Sequence, residues 1–266
     1  MRNAAVVPIN VHFQRFEFKY LIPARTVEGI IPELLHYMDF DPYALPLPDK
    51  SYEVQSLYFD SPGLDCYYQK VEGHRTRKKL RIRTYGRALT SSSKVFLEIK
   101  RKYDSVVVKD RVVMTQADCV AFMRDAHTPA SRFIEGDQKT LDEFVWLLET
   151  NAMVPQNMVY YRRKPFFAKF DPGFRVTIDT ALTTWRTRWF NEGDMKYAVD
   201  PLYAILEVKF HNVLPEWFHH LIGKYQLERV AYSKYCNALE VCHPELGGHR
   251  LADIFQLADS SPMSHN

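Results

Sequence analysis

The sequence lacks the glycine-rich motifs with which many proteins hold nucleotide phosphates. Glycine accounts for only 10 of the 266 residues, and neither G-x-x-x-x-G-K-[ST] nor G-x-G-x-x-G occurs. Both motifs place backbone amides and a helix N-terminus around phosphate oxygens. If this chain binds a nucleoside triphosphate, side chains must therefore hold the phosphates in place of a glycine-rich loop.

The sequence also lacks the usual marks of secretion and membrane insertion. The first ten residues show no basic stretch followed by a long apolar one, and no apolar run approaches the roughly 18 residues of a membrane span. None of the four cysteines forms a C-x-x-C pair. We therefore expect a cytoplasmic protein with reduced thiols and no membrane segment of its own.

A large excess of positive charge is missing as well. The 35 Lys and Arg residues nearly balance the 32 Asp and Glu residues, which leaves a formal net charge of +3. That is too little for the whole surface to bind nucleic acid, so we expect no nucleic-acid partner. The basic residues matter by where they cluster.

What the sequence does contain is a repeated strand pattern with one charged face. Residues 95–102 read VFLEIKRK. Because strand side chains point to opposite faces in turn, Glu98 and Lys100 share one face, whereas Leu97 and Ile99 share the other. The same alternation recurs at residues 15–19, 80–85, 108–111, 174–179 and 205–210.

An antiparallel sheet ordinarily turns one polar face to water, and this explains any single strand here. It explains the set less well, since the cations are unusually uniform and the opposite faces are strongly apolar. Carboxylates also stand two residues from a lysine on the same face, at Glu17, Glu98 and Glu207. The recurring cations are Arg81, Arg83, Lys100, Lys102, Lys109, Arg111, Arg175 and Lys209.

These patterns predict one α+β domain over residues 1–247, followed by a tail at 248–266 that we expect to be disordered. The expected architecture is a closed antiparallel β tunnel barrel of about eight strands, with helices packed outside and the charged faces inside. Strands are predicted at 13–22, 52–60, 79–85, 94–103, 105–114, 158–167, 174–182, 184–190, 196–199 and 203–210. Helices are predicted at 24–38, 61–72, 115–125, 141–150, 215–225 and 233–241.

Many like charges in a small interior repel one another and lose hydration, so such an interior needs a compensating anion, a metal or internal carboxylates. Arginine binds phosphate oxygens in bidentate fashion and lysine binds them as a point charge. The residues alone therefore indicate a tunnel for an extended polyphosphate-like anion. A carboxylate or two could hold a divalent cation that bridges phosphates.

Eight short motifs, taken in order, resemble the VTC domain, the polyphosphate-polymerase domain of the vacuolar transporter chaperone complex. That domain belongs to the triphosphate tunnel metalloenzyme (CYTH-like) superfamily. The motifs are FEFKY at 16–20, SLYFD at 56–60, KLRIRTY at 79–85, LEIKR at 97–101, YRR at 161–163, FRVTID at 174–179, YAILEVK at 203–209 and YSKY at 232–235.

The resemblance implies a site for ATP and a growing inorganic polyphosphate chain, with Mn²⁺ or Mg²⁺ as cofactor. Lys19, Arg81, Arg83 and Lys100 would then be the catalytic cations. The remaining phosphate-binding residues would be Lys109, Tyr161, Arg163, Arg175, Lys209, Ser233 and Lys234. Glu207 would hold the metal ion, and Glu98 and Glu17 are further candidate ligands.

Three functions remain open at this point. A polyphosphate polymerase, which transfers the γ-phosphate of ATP to the chain end, is the leading hypothesis. A tripolyphosphatase, or a nucleoside or RNA 5′-triphosphatase, could use the same barrel. However, the hydrolase branch of the superfamily begins with Glu-x-Glu-x-Lys, and here Arg15 takes the first position. The third hypothesis is a non-catalytic polyphosphate-binding module. The oligomeric state stays open.

Overall fold

The computed structural model describes residues 15–104, 106–124, 133–191 and 193–246. Over these residues every paired strand runs antiparallel to its neighbours in one sheet. The strands are β1 (Arg15–Pro23), β2 (Met38–Phe40), β3 (Tyr52–Asp60), β4 (Thr76–Tyr85), β5 (Lys94–Tyr103), β6 (Val106–Thr115), β7 (Phe133–Glu135), β8 (Val154–Ala168), β9 (Arg175–Arg186), β10 (Lys196–Tyr197) and β11 (Tyr203–His211). The helices are α1 (Val27–Tyr37), α2 (Asp65–Val71), α3 (Gln116–Arg124), α4 (Gln138–Thr150), α5 (Glu216–Lys224) and α6 (Lys234–Cys242).

The sheet is curled but its hydrogen-bonded ladder is open. The order is β1-β11-β9-β8-β3-β4-β5-β6-β7, with β10 on β9 and β2 on β8, and within the described ranges no ladder joins the two ends. The expected closed barrel of about eight strands is thus corrected in both closure and strand number. The ends still approach each other, because β1 and β6 come into contact and Lys100 Nζ on β5 lies 3.4 Å from Glu17 Oε2 on β1.

Most predicted elements are present, with one instructive error. Residues 174–182 and 184–190 were expected to be two strands, whereas β9 runs unbroken over Arg175–Arg186. A bulge explains the misreading, because Ala181 has a φ of 52° and the pairing with β8 shifts at this point. Such a bulge inserts an extra residue and interrupts the period-two pattern. The expectations for residues 1–10 and 248–266 lie outside the described residues.

The apolar faces of the strands are covered by helices, as the alternation predicted. On one side Leu80, Ile82, Leu97 and Ile99 pack with residues of α3 and α4, such as Phe144. Farther along the sheet, the apolar faces of β9 and β11 are covered in the same way by α1 and α5. Burying each such side chain contributes about 1.5–3 kcal/mol relative to leaving it exposed. The charged faces therefore turn to the opposite side, toward the inside of the curl.

Helix α6 departs from the prediction that all helices pack outside. Tyr235 and Leu239 pack with Val159 and Ile205, which lie on the same strand faces as the charged residues farther along β8 and β11. The helix therefore closes one end of the interior. Its first turn is fixed by Ser233, whose side chain accepts a hydrogen bond from the Cys236 amide. No helix in the part of the chain that the structure describes is long and apolar enough to cross a membrane.

Candidate functional site

The curl encloses a cavity of about 790 Å³ whose wall is strongly cationic. Its lining comes mainly from β1, β4, β5, β8, β11 and the start of α6. Two carboxylates, Glu17 and Glu207, line it. Twelve cationic side chains do so as well: Lys19, Lys70, Arg77, Lys79, Arg81, Arg83, Lys100, Lys102, Arg163, Lys209, Arg229 and Lys234.

The structure gathers most of the residues that the sequence proposed for the site. Eleven of them line the cavity: Glu17, Lys19, Arg81, Arg83, Lys100, Tyr161, Arg163, Glu207, Lys209, Ser233 and Lys234. Glu98 and Lys109 stand next to it, since Glu98 binds Arg81 from behind and Lys109 pairs with Glu98. Arg175 is exposed near the start of β9 and is not among the lining residues.

Glu98 anchors two cations, one on each carboxylate oxygen. Its Oε2 lies 2.6 Å from Arg81 Nε and its Oε1 lies 2.8 Å from Lys109 Nζ. Burial would raise the pKa of Glu98, but Arg81, Arg83 and Lys109 together hold that pKa well below its ordinary value. Glu98 is thus a fixed counter-ion that orients Arg81. Among the described residues Glu98 does not belong to any group of three or more potential metal ligands, although we predicted it as one.

Asp179 on β9 plays the same part, and sequence reasoning missed it. This fully buried carboxylate accepts two hydrogen bonds from Arg163, at 2.7 and 2.8 Å, and lies 2.7 Å from Lys234 Nζ. Asp179 and Arg163 are direct cross-strand partners of β9 and β8. The sequence could have indicated Asp179 by its position on a charged strand face. The bidentate geometry fixes the guanidinium plane.

Arg83 differs from these paired cations because it has only neutral partners. Its Nε donates to Ser56 Oγ and its Nη2 donates to Tyr161 OH, each at 3.0 Å. Among the described residues no carboxylate forms an ion pair with Arg83, although its side chain is only 7% exposed. Glu98 attracts Arg83 only from beyond ion-pair distance, and a buried charge that no carboxylate contacts favours an anionic ligand beside it. Arg83 is therefore the strongest single indication of an anion site.

Several lining residues were not proposed from the sequence. Arg77 and Lys79 precede Arg81 at the same period of two on β4, so their signal was present but unused. Lys70 and Arg229 come from the end of α2 and from a loop, where no strand pattern could have indicated them.

Tyr58 is another residue that was not proposed for the site. It lines the cavity and accepts a hydrogen bond from Arg81 Nη1 at 3.0 Å. Burial would raise the pKa of Tyr58, but Arg81 and Arg83 lower it to about 8. The Tyr58 hydroxyl therefore lies in the positive field of Arg81 and Arg83, which favours its ionised form.

Lys100 should make anion binding pH-dependent near neutrality. Burial, together with repulsion from Lys19 and Lys209, lowers the pKa of Lys100 to about 8. An anion favours the charged ammonium, so binding near pH 8 should take up a proton and weaken as the pH rises through 8–9. Calorimetric titration with inorganic tripolyphosphate from pH 6.5 to 9.5 measures both effects.

The matched variant for this experiment is Lys100→Arg, whose guanidinium stays charged throughout the range. It should bind with a flatter pH profile and with less proton uptake. Equal slopes for the wild type and the variant would mean that Lys100 does not titrate in this range.

The carboxylates present do not fit a resident divalent cation. No group of three or more His, Cys, Asp or Glu side chains in the described part of the chain is placed to hold a metal ion. Glu98 pairs with Arg81 and Lys109, while Glu17 and Glu207 are each surrounded by ammonium groups. The predicted metal set of Glu207, Glu98 and Glu17 is therefore not assembled, and no step is derived through a metal ion.

The family profile of the VTC domain matches residues 14–243. The chain is also 23% identical, over 273 aligned positions, to subunit 4 of the vacuolar transporter chaperone complex of Schizosaccharomyces pombe. That alignment covers 86% of this chain and 37% of the fungal protein. The chain thus spans little more than a third of the length of this relative.

Two solved structures overlap with most of the chain at low similarity. A candidate adenylate cyclase from Bacillus halodurans has a TM-score of 0.49 and 11% identity, with 83% of this chain and 95% of that chain covered. A candidate adenylyl cyclase from Hippeastrum, described as having a dominant triphosphatase activity, has a TM-score of 0.45 and 13% identity, with 95% and 100% covered. Overlaps of this size do not support a statement about activity.

The profile match begins one residue before β1 and ends one residue after α6, so it includes every strand that lines the cavity. It confirms the resemblance that the eight sequence motifs carried. The chain therefore belongs to the VTC domain family.

Proposed function

We propose that this protein is a polyphosphate polymerase that transfers the γ-phosphate of ATP to a growing inorganic polyphosphate chain within the cationic cavity. The observation that carries the proposal is the charge of the wall, where twelve cationic side chains face two carboxylates. An extended polyanion supplies the missing negative charge, and a cleft of one sign concentrates ligands of the opposite sign. The proposal implies ATP and inorganic polyphosphate as partners and a cytoplasmic location.

The curled sheet would serve as the tunnel in which both substrates lie. The approach of β1 to β6 and the ion pair between Glu17 and Lys100 support a tunnel-like interior despite the open ladder. Helix α6 closes one end, and its first residue, Lys234, faces the cavity. A chain of phosphates can then extend along the interior away from α6.

Phosphoryl transfer requires little covalent participation by protein groups, because positioning of the substrates and stabilisation of charge supply most of the catalysis. The attacking oxygen of a polyphosphate end is already anionic near neutral pH, so no general base is required. Arg81, Arg83 and Lys100 would spread the charge of the transferring group. Lys19 and Lys234 would align the donor and acceptor phosphates.

The pairing of these cations suits that role. Arg81 is held by Glu98 and Lys234 is held by Asp179, so both stay in place before substrate arrives. Preorganised groups avoid reorganisation when charge moves in the transition state. Arg83 is held by hydroxyl groups instead, so no carboxylate has to leave its hydrogen-bonding groups when a phosphate binds.

The deciding experiment is incubation of the protein with ATP and Mn²⁺, followed by sizing of the phosphate polymer on a gel. Long phosphate chains, with one ADP released per phosphate added, are the expected result. Orthophosphate without polymer would favour the triphosphatase. Tight, salt-sensitive binding of polyphosphate without ATP turnover would favour the binding module.

A further inference from the structure

We propose that Glu17 is an internal counter-ion that occupies a phosphate subsite formed by Lys19, Lys100 and Lys209, and that the incoming phosphate chain displaces it. This inference rests on the proposed function only for the class of anion. It assigns Glu17 a role opposite to that of a metal ligand, because its carboxylate competes with the substrate.

Three ammonium groups from three strands surround the Glu17 carboxylate, and two of them, those of Lys19 and Lys209, also pair with Glu207. Glu17 Oε1 lies 3.1 Å from Lys19 Nζ, and Glu17 Oε2 lies 3.4 Å from Lys100 Nζ and 4.0 Å from Lys209 Nζ. Strands β1, β5 and β11 supply the lysines. Lysine binds phosphate as a point charge without a fixed plane, so the same cluster accepts a phosphoryl group where the carboxylate now lies.

Glu17 is also the easiest of the four site carboxylates to displace. Its side chain is 18% exposed, compared with 6% for Glu207, 1% for Glu98 and none for Asp179. Within the described chain its ion-pair partners are lysines alone, whereas Glu98 and Asp179 each hold an arginine.

Electrostatics favour the exchange of Glu17 for a phosphate. Burial and the nearby Glu207 carboxylate raise the pKa of Glu17, and the three lysines lower it by more than that, so the group stays ionised. A carboxylate carries one negative charge, whereas a tripolyphosphate carries several. The substrate therefore attracts the same lysines more strongly and at the same time repels Glu17.

The test is calorimetric binding of inorganic tripolyphosphate in EDTA to Glu17→Gln. Removal of the competing charge should tighten binding by about tenfold. The matched control is Glu143→Gln, because Glu143 also pairs with two cations, Arg101 and Lys78, but lies outside the cavity. That control should bind tripolyphosphate as the wild type does.

Unchanged or weaker binding of a folded Glu17→Gln protein in EDTA would overturn the inference. The wild type gives a second test that does not depend on the variant folding. If Glu17 is a counter-ion, tripolyphosphate should bind with a Kd in EDTA within tenfold of that in Mn²⁺. A larger loss on chelation would identify metal-dependent binding and would also overturn the inference.

These binding measurements separate the inference from the proposed function. Tighter binding by Glu17→Gln together with no polymer from ATP would support the counter-ion role of Glu17 and contradict the polymerase activity. Polymer from ATP together with unaltered tripolyphosphate affinity in Glu17→Gln would support the polymerase activity and contradict the counter-ion role.

Discussion

Replacement of Arg83 by methionine is expected to slow polymer synthesis by about 100-fold or more, which is the usual loss for one donor to a developing oxyanion. It should weaken tripolyphosphate binding by roughly 10- to 100-fold, as for the loss of hydrogen bonds to a charged group. The same change should leave the free energy of unfolding within about 1–2 kcal/mol of the wild type, because no carboxylate forms an ion pair with Arg83 among the described residues and its loss leaves no charge without its direct partner. The partners that methionine leaves behind, Ser56 and Tyr161, are neutral hydroxyl groups. Calorimetric titration and urea denaturation measure the two effects.

Arg101 offers the matched control, since its side chain is nearly as buried but points to the outer side of the sheet. It pairs with Asp110 and Glu143, and none of the three lines the cavity. Arg101→Met should lower the free energy of unfolding by about 1.5–3 kcal/mol, the range for hydrogen bonds to charged groups. Its tripolyphosphate affinity should be unchanged. If both variants lose stability equally and both keep affinity, Arg83 is a structural residue.

The contrast between these two arginines shows what the sequence could predict. A period of two assigns a side chain to a face, and it correctly separated Glu98 and Lys100 from Leu97 and Ile99. It also placed Arg101 on the apolar side, where a helix carboxylate meets it. Face assignment depends only on local geometry, so it needs no knowledge of the rest of the fold.

Position along a strand could not be predicted in this way. Arg175 shares a face of β9 with Asp179, yet Asp179 is buried among cations whereas Arg175 is exposed. Both lie on the predicted face, but Arg175 is the first residue of β9, whereas Asp179 lies farther along the strand between Arg163 and Ile205. The number of strands was predicted wrongly for a related reason. Strands β2 and β7 have only three residues each, and their pairing depends on partners that are distant in the sequence.

The location of α6 is a further feature that local patterns leave open. An amphipathic helix must bury its apolar stripe, but the sequence does not say on which face of the sheet. Here the stripe of Tyr235 and Leu239 fits the interior end of β8 and β11. That choice brings Lys234 to Asp179, and thereby completes the ion cluster that sequence reasoning missed.

Asp179→Asn is expected to lower the free energy of unfolding by about 3–5 kcal/mol, the usual cost of removing one partner from a buried ion pair. Arg163 and Lys234 would remain buried without their shared carboxylate. The loss should depend on pH in a defined direction. Burial raises the pKa of Asp179, but Arg163 and Lys234 lower it by more than that, to below the ordinary value of 3.8.

A carboxylate whose pKa is depressed in the folded state stabilises the protein above its unfolded pKa, and that stabilisation is lost as the pH falls. The difference between wild type and Asp179→Asn should thus be complete at pH 7 and shrink below about pH 4, near the unfolded pKa of aspartate. Urea denaturation at several pH values measures it. Asp110→Asn is the control, because Asp110 is 42% exposed and should cost less than about 1 kcal/mol.

Tripolyphosphate should restore much of the stability that Asp179→Asn loses. A ligand that binds only the folded state adds about 2.7 kcal/mol at a concentration 100 times its Kd. The variant has one more uncompensated positive charge in the cavity wall, so the anion should raise its melting temperature by more than it raises that of the wild type. An equal or smaller rise would mean that the anion does not reach Arg163 and Lys234. The cavity would then bind phosphate only around Arg81 and Arg83 on β4.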